Sequence, residues 1–305
     1  MNNTKENPPV VCFGETLWDL LPNAKLPGGA PMNVAYHLTR LGKNPAIISS
    51  IGTDDLGKEL LQVFKSKNIN TEYIQLDHQH STGKVFATIK EDNEVQYDIV
   101  KPVAWDFIQW EDAYRPLIEQ AKYFVFGSLI TRNKVSKNTL YKCLEYANTK
   151  VLDINMRPPH YNKKIIGELL QKADILKLNQ AELHLITGWF SDYNSDEDRM
   201  KLLKDRFKID IIIVTKGGDG AILNINDAFY NHDGYTIEVA DTVGSGDSFL
   251  AAILTRFLDG STPTDTLSFA CGVGALIASH HGGCPDYSTD EITGIMNQSA
   301  LSHSH

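Results

Sequence analysis

The sequence predicts an α/β fold built on a central, mostly parallel sheet, and three observations lead to this prediction. Short apolar segments alternate with segments of helical periodicity along most of the chain. A glycine-rich segment, residues 241–247, runs directly into a helical segment, as phosphate-binding turns do. The alternation breaks once, at residues 84–100, where two strand-like segments flank a polar turn and indicate an antiparallel hairpin.

Length and charge limit the class of protein. The 305 residues suffice for one large α/β unit or two small domains. The net charge of −9, without a lysine or arginine cluster, argues against a nucleic acid or an anionic membrane as partner. No segment reaches the roughly 18 to 20 apolar residues that span a bilayer, and residues 1–7 lack the apolar core of a signal peptide. We therefore expect a cytoplasmic protein that binds a small solute.

The cysteines are too widely spaced for a metal motif or a disulfide framework, which predicts reduced thiols. Several histidines near the C-terminus are interpreted as solvent-facing or tail side chains rather than metal ligands. The residues concerned are Cys12, Cys143, Cys271 and Cys284, and His280, His281, His303 and His305.

The first strand, Pro9–Phe13, places Asp19 just beyond its carboxyl end, the edge at which open α/β sheets bind ligands. Asp19 is either a surface turn residue or a ligand contact. Gly28 and Gly29 predict a close-approach loop before a helix that begins near Asn33. Asn33 is either a helix cap or, with Asp19 and the two glycines, part of a site for sugar hydroxyls.

The rest of the N-terminal half contains a strand, a helix and the hairpin. We interpret two segments, about 16–31 and 82–103, as a small β lid inserted in a single domain of residues 1–305. A lid excludes water and protects a phosphoryl donor from hydrolysis. The predicted elements are a strand at 46–51, a helix at 57–67, and hairpin strands at 84–89 and 95–100 around a turn at 91–94.

The C-terminal half resumes the alternation. Asp153 and Asn155 lie at a strand end, and Arg157 after them is either a clamp for substrate or phosphate or part of a structural ion pair. Asn179 and Glu182 form a capping-box pattern or steer a hydrated magnesium ion. The predicted strands are 123–127, 150–154, 175–178, 210–215, 221–225, 229–232 and 235–239, and the predicted helices are 134–147, 165–172, 249–258 and 267–279.

The segment Asp241-Thr-Val-Gly-Ser-Gly-Asp-Ser-Phe249 joins a glycine-rich turn to a helix N-terminus. Gly244 and Gly246 permit backbone angles that side chains forbid and let a ligand approach the main chain, so that amides converge on an anion. The helix end adds unpaired donors and partial positive charge. Asp247 is either a helix cap or the base that accepts a proton from a hydroxyl attacking a phosphoryl group.

Together these residues resemble the ribokinase-like, or PfkB, family of carbohydrate kinases over nearly the whole chain. The resemblance rests on residues 241–249 and, independently, on Gly28-Gly-Ala-Pro-Met-Asn33 with Asp19. Residues 14–22 and 27–31 look most like fructokinases. The resemblance implies a three-layer sandwich in which helices flank a central, mostly parallel sheet, with a small β-sheet lid that often mediates dimerisation.

The resemblance also implies roles for individual residues. Asp247 is expected to be the catalytic base, and the amides of Gly244, Ser245 and Gly246 the anion hole. The expected sugar contacts are Asp19, Gly28, Gly29 and Asn33, and the clamp interpretation adds Arg157. The residues expected on the nucleotide side are Asn179, Glu182, Thr215, Gly217 and Gly220. The expected metal ligands are Glu182, which holds Mg²⁺ through water, and Asp241 with the Val243 carbonyl, which hold a monovalent cation.

We therefore predict an ATP-dependent sugar kinase that uses Mg²⁺, with a site for K⁺, and transfers the γ-phosphoryl group to the 6-hydroxyl of D-fructose. Asn155 and Arg157 would instead suit the carboxylate of 2-keto-3-deoxygluconate, and ribose or a nucleoside is a further alternative. A sugar-binding regulator without transfer activity is the alternative from another class. The expected partners are the sugar, ATP and a second copy of the chain bound through the lid.

Overall fold

The computed structural model describes residues 7–21, 24–89, 95–192 and 194–302. The predicted turn at 91–94, residues 1–6, and His303 and His305 lie outside these ranges. The chain divides into two compact units. Unit 1 comprises Met1–Phe126 and Ile130–Lys150, and unit 2 comprises Gly127–Leu129 and Val151–His305.

The described residues contain thirteen strands, whose bounds follow. They are β1 Val10–Phe13, β2 Leu17–Leu21, β3 Ala24–Gly28, β4 Ala46–Gly52, β5 Ile74–Asp77, β6 Gly83–Ile89, β7 Val95–Ile99, β8 Tyr123–Gly127, β9 Thr149–Asp153, β10 Ile175–Asn179, β11 Ile211–Thr215, β12 Ala221–Ile225 and β13 Ala228–His232.

The same residues contain ten α-helices and three short 3-10 turns. The helices are α1 Ala30–Arg40, α2 Asp55–Ser66, α3 Tyr114–Gln120, α4 Lys134–Leu144, α5 Lys163–Leu170, α6 Gln180–Gly188, α7 Asp196–Phe207, α8 Ser245–Leu258, α9 Pro263–Ala278 and α10 Thr289–Ser302. The 3-10 turns are Ala104–Phe107, Leu129–Arg132 and Gly217–Asp219.

The strands form two sheets. The larger has the order β13-β12-β11-β10-β9-β8-β1-β4-β5, and the smaller has the order β3-β2-β6-β7. Strands β9, β10 and β11 pair in parallel, as do β8, β1, β4 and β5, whereas β12 and β13 pair antiparallel. The predicted fold, a mostly parallel sheet flanked by helices with a separate small sheet, is confirmed.

Unit 1 is built around strands that are apolar because both of their faces are covered. Every residue of β1 and β4 is buried, and α1 packs on both strands. Asp54 caps α2: its carboxylate accepts hydrogen bonds from the amides of Gly57 at 2.9 Å and Thr82 at 3.0 Å. This one side chain therefore joins the start of α2 to the segment that enters β6.

The small sheet belongs to unit 1 and contains the two segments from which the sequence predicted a lid. Strand β2 pairs antiparallel with β3 and parallel with β6, and β6 pairs antiparallel with β7. The predicted hairpin strands are therefore confirmed. Asp19, which the sequence allowed to be a turn residue, lies within β2, so that alternative is wrong.

A buried ion pair fixes the end of β7. The Arg132 guanidinium binds the Asp106 carboxylate through two nitrogens, at 2.7 and 2.9 Å, and donates to the carbonyl oxygens of Ile99 and Val100. Its carbon atom Cζ also lies 3.8 Å from the ring centre of Trp105. The guanidinium thus donates to one carboxylate and to the backbone at the point where the chain exits β7.

Unit 2 packs its helices closely against its strands. Helix α9 contacts α8, α10, β12 and β13, and α6 and α7 contact β11. Gly272 of α9 lies so near α10 that an added Cβ would be 2.8 Å from the Met296 side chain. The small residues that the sequence places in α9 therefore permit this close packing.

One predicted strand is wrong. Residues 235–239 alternate in polarity, but the structure, which describes all five, assigns them to no strand. Strand β13 pairs with β12, and an extended segment becomes a strand only when a neighbour accepts and donates its backbone hydrogen bonds. The Tyr235 hydroxyl instead hydrogen-bonds the Ser268 hydroxyl at 2.8 Å.

All four cysteines are buried and free. None of the helices in the described ranges combines the length and the apolar content that crossing a bilayer requires. The His280 Nδ1 donates to the Leu276 carbonyl at 2.8 Å. The described residues contain no group of three or more His, Cys, Asp or Glu side chains placed to hold a metal ion.

Candidate active site

The glycine-rich turn of unit 2 forms the N-terminus of α8. Gly244 is the N-cap and has a left-handed φ of 76°, a conformation that favours glycine. The first helical hydrogen bond runs from the Ser248 amide to the Gly244 carbonyl at 2.8 Å, so the amides of Gly246 and Asp247 precede the helical ladder. The Ser245 amide, a predicted anion donor, donates to the Thr242 carbonyl at 3.3 Å.

Asp247 is the third residue of α8 and is only 8% exposed. Since Gly244 occupies the N-cap position and no side chain caps this helix, the alternative that Asp247 is the cap is wrong. The structure therefore places a nearly buried carboxylate in the first turn of a helix, among backbone amides that have no acceptor within that helix.

A buried lysine lies beside this turn. Lys177 of β10 is 7% exposed, and its ammonium binds both oxygens of Asp153, at 2.9 and 3.1 Å. A Cβ added to Gly246 would be 2.9 Å from the Lys177 ammonium nitrogen. Gly246 does not have a positive φ, so the expectation of an unusual backbone angle there is wrong, and glycine instead makes room for the lysine.

Three carboxylates act on the Lys177 ammonium. Burial lowers its pKa, but the charges of Asp153 and Asp247, the hydrogen bonds to Asp153 and the charge of Glu182 outweigh burial, so the pKa lies above its ordinary value. Lys177 is therefore a cation at neutral pH. The sequence analysis named Asp153 at this strand end but missed Lys177, although a lysine in the middle of the apolar segment Ile175-Leu-Lys-Leu178 was a signal.

Asn179 and Glu182 form a complete capping box at the start of α6. The Asn179 side chain accepts from the Glu182 amide at 2.8 Å, and the Glu182 carboxylate accepts from the Asn179 amide at 2.9 Å and from the Met156 amide at 2.7 Å. Burial raises the pKa of Glu182 above its ordinary value. The capping interpretation is confirmed, and the remaining lone pairs of the carboxylate are compatible with a water-mediated metal contact.

Asp241 connects the glycine-rich segment to the loop after α9. One carboxylate oxygen accepts from the Val243 amide and the other from the Gly282 amide, both at 3.0 Å. Beside it, a Cβ on Gly244 would be 2.5 Å from the Gly283 Cα. The predicted monovalent-cation residues thus lie in a rigid, tightly packed turn.

Thr215 ends β11, and the segment after it turns the chain back into β12. Gly217 is exposed, and a Cβ added there would meet none of the described residues within 4 Å, which leaves space for a ligand to approach. Gly220 by contrast lies against the His232 carbonyl. The turn reverses the chain, as one interpretation of the sequence held, and its open side is compatible with the other, a nucleotide contact.

A hollow of about 670 Å³ opens near the C-terminal end of α9. Its apolar lining comes from the irregular segment after β13 and from α10. The lining residues include Ile237, Val239, Ala240, Ser279 and Ile295.

The predicted sugar residues of unit 1 lie close together. A Cβ on Gly28 would collide with the Asp19 carboxylate, so strand β3 passes directly against that side chain. Gly29 is the N-cap of α1 and has a φ of 111°. Asn33 lies one turn into α1 and is 4% exposed, so the alternative that it caps the helix is wrong. The described contacts of unit 1 bring these four residues to one place.

Arg157 is exposed in unit 2, after the end of β9. Its guanidinium donates to the Met156 carbonyl at 3.1 Å, and it makes no ion pair with another residue of the described ranges. The structural ion pair that the sequence allowed is therefore wrong.

The sheet arrangement, together with a buried carboxylate in the first turn of a glycine-capped helix, is compatible with a phosphotransferase that acts on an alcohol group. The pfkB family carbohydrate kinase profile matches residues 10–290, and the chain belongs to this family. The alcohol is accordingly a sugar hydroxyl.

Relatives in sequence agree with this family, and solved structures share the fold. Fructokinase-2 of Solanum lycopersicum is 29% identical over 314 residues, covering 93% of this chain and 94% of the relative. The fructokinase of Xylella fastidiosa, solved with bound ATP, superposes with a TM-score of 0.86 at 22% identity, covering 95% of this chain and 98% of that chain. The fructokinase of Vibrio cholerae O395, with fructose, ADP and calcium ion, has a TM-score of 0.81 at 22% identity and covers 95% and 99%. A double mutant of that enzyme holds fructose, ADP and potassium ion.

Proposed function

We propose that this kinase transfers the γ-phosphoryl group of ATP to the 6-hydroxyl of D-fructose. The observation that carries the proposal is the position of Asp247, a nearly buried carboxylate in the first turn of α8. Fructokinase-2 of Solanum lycopersicum, which is matched over 94% of its length, supports fructose as the acceptor.

In this proposal Asp247 accepts the proton of the sugar hydroxyl as the oxygen–phosphorus bond forms and the bond to ADP breaks. The amides of Gly246 and Asp247, which precede the helical ladder, and the positive end of α8 stabilise the charge on the transferring phosphoryl oxygens. The Gly244 amide belongs to the same turn. The Ser245 amide, already bonded to Thr242, contributes less.

The sugar-binding role falls to unit 1. Asp19 and Asn33 offer the acceptor and donor groups that recognise sugar hydroxyls, and Gly28 and Gly29 let the backbone come close to the ring. Arg157 of unit 2 remains a candidate contact for substrate or phosphate, because its guanidinium makes no ion pair within the described ranges.

The nucleotide and cation sites are proposed in unit 2. The hollow lined by Ile237 and Val239 fits the apolar faces of an adenine ring, and the open side of Gly217, with Thr215 and Gly220, lines the rest of the nucleotide. The charges of three carboxylates act on the Lys177 ammonium, so the local charge favours a divalent cation, and Glu182 would hold Mg²⁺ through water. Asp241 and the Val243 carbonyl are the proposed K⁺ ligands.

A sugar panel tests the function. The purified protein is assayed with ATP and Mg²⁺ against fructose, 2-keto-3-deoxygluconate, ribose and adenosine, by coupled detection of ADP. We expect the highest kcat/KM with fructose. A preference for the sugar acid would contradict the fructose assignment and would agree with the exposed guanidinium of Arg157. Thermal stabilisation by a sugar without ADP formation would identify a silent binding protein.

The lid, the dimer and the location are further parts of the proposal. We propose that segments 16–31 and 82–103 form a lid of one kinase domain and that two copies associate through it. Phe86 of β6 supports association because 43% of this apolar side chain is exposed. Light scattering of the wild type and of Phe86→Lys tests the dimer, which we expect the substitution to weaken, and cell fractionation tests the cytoplasmic location.

A further inference from the structure

The Lys177–Asp153 pair is unusual because its charges do not balance. The carboxylates whose charges act on the Lys177 ammonium are Asp153 from β9, Asp247 from α8 and Glu182 from α6, and Asp153 binds it directly. Lys177 is 7% exposed, so its charge has left water, which is unfavourable unless other groups compensate it. The charge of Asp153 alone would neutralise the ammonium. The two further carboxylates therefore also have Lys177 as their counter-ion.

The ammonium also lies directly against the helix turn that carries Asp247. A Cβ on Gly246 would be 2.9 Å from the ammonium nitrogen and 3.8 Å from the Lys177 Cε. Among the described residues, no other neighbour of such a Cβ is found within 4 Å, so the missing side chain of Gly246 leaves the space in which Lys177 reaches the turn. The contact places a fixed positive charge beside the first turn of α8.

We propose that Lys177, held by Asp153, is a positioning residue for phosphoryl transfer, which fixes the Asp247 carboxylate and the first turn of α8 in the arrangement that transfer requires. This inference rests on the proposed role of Asp247 as the base. Lys177 acts through Asp247 and the turn, and Asp153 acts through Lys177. Neither residue was a candidate site residue in the sequence analysis.

Three variants separate this role from a purely structural one. Lys177→Met removes the charge and leaves Asp153 without its partner. Asp153→Asn removes the partner and leaves Lys177 between Asp247 and Glu182. The double variant Asp153→Asn/Lys177→Met removes both charges, which commonly restores the stability lost when one member of a buried pair is removed.

The proposal predicts that kcat falls in every variant that lacks Lys177, whether or not the variant is as stable as the wild type. We expect Lys177→Met to lower kcat by about 10²-fold, a loss typical of a group that supports charge stabilisation in a transition state, with little change in the KM of the sugar. Asp153→Asn should lower kcat less. The double variant should recover the thermal midpoint while its kcat stays as low as that of Lys177→Met.

A structural role predicts the reverse pattern, in which both single variants lose activity equally and the double variant regains kcat. That result would overturn the proposal, and it can be read from the double variant even if Lys177→Met does not fold. Lys163→Met is the matched control, because Lys163 is exposed in the same unit and, in the described part of the chain, its one hydrogen bond is to the Trp189 carbonyl. It should keep wild-type kcat.

All variants are assayed with the sugar that the wild type turns over fastest. A wild type that prefers another sugar contradicts the fructose assignment and leaves the comparison of Lys177 variants intact. A wild type that phosphorylates no sugar overturns both proposals.

Discussion

Each unit of this kinase contains a buried ion pair, and the two pairs differ in how completely their charges are matched. In unit 1, Arg132 and Asp106 have side chains that are 3% and 2% exposed, and they pair one cation with one carboxylate through two hydrogen bonds. In unit 2, the side chains of Lys177 and Asp153 are 8% and 5% exposed, and the charges of two further carboxylates also act on the cation.

The difference indicates two roles. The Arg132 guanidinium donates its other hydrogen bonds to carbonyl oxygens at the end of β7. The pair therefore has balanced charges and connects the segment around Arg132 to the end of that strand. Lys177 is instead the cation on which three carboxylates act, one from the end of β9 and two from the first turns of α8 and α6. It lies next to the turn proposed to bind phosphate. We therefore expect changes at the first pair to alter stability and changes around the second to alter turnover.

The largest effect is expected at Asp247. Asp247→Asn should lower kcat by roughly 10²- to 10⁴-fold, the contribution of a general base, while the thermal midpoint changes little. Turnover is measured by coupled ADP release under saturating sugar and ATP. Asp198→Asn, an exposed position on α7, is the matched control and should behave as wild type. Comparable turnover by Asp247→Asn would remove the base from the mechanism.

Arg132→Met tests the pair in unit 1. The substitution leaves the buried Asp106 carboxylate without its counter-ion, which should lower the free energy of unfolding by about 3 to 5 kcal/mol. Urea unfolding measures this, and kcat of the folded fraction should stay near wild type. Adding Asp106→Asn should restore part of the stability. A fall in kcat with unchanged stability would reverse the roles assigned to the two pairs.

Asp19→Asn tests whether unit 1 also contributes binding. A hydrogen bond to a charged group contributes about 1.5 to 3 kcal/mol, so the KM of the sugar should rise roughly 10- to 100-fold, with a smaller change in kcat. Initial rates over a range of sugar concentrations separate the two constants. Asp98→Asn, exposed in the same small sheet, is the control. A loss confined to kcat would exclude Asp19 as a sugar contact.

The smallest effect concerns Asp54, the cap of α2. Burial raises its pKa, but hydrogen bonds from the Thr82 hydroxyl, the Thr82 amide and the Gly57 amide outweigh burial and hold the pKa below its ordinary value of 3.8. A carboxyl whose folded-state pKa is depressed stabilises the fold above its unfolded-state pKa, and this stability is lost as the pH falls through the folded-state pKa.

Asp54→Ala should therefore lower the free energy of unfolding by about 0.5 to 2 kcal/mol at pH 7, the usual contribution of a cap. The difference from wild type should shrink as the pH falls below 3.8. Urea unfolding of the wild type and of Asp54→Ala at pH 7 and at a pH below 3.8 provides the measurement. A difference that grows on acidification would show that the carboxylate is not the stabilising form.

The sequence by itself determined the fold class and most of the elements. Buried parallel strands such as β1 and β11 are recognisable because both of their faces are apolar, and glycine-rich turns mark where the backbone needs freedom. It also located Asp247 and Asn33 as candidates, while leaving open whether they were caps. The positions of the N-cap residues, Gly244 and Gly29, decided that question.

Only the tertiary structure revealed Lys177 and rejected the strand at 235–239. Lys177 is adjacent in the chain to neither of its partners, since Asp153 lies on the neighbouring parallel strand and Asp247 on a helix far along the sequence. Whether an extended segment finds a hydrogen-bonding neighbour is likewise set by the packing of distant elements. Local sequence patterns record what a residue prefers, whereas charge compensation and strand pairing depend on which residues the folded chain brings together.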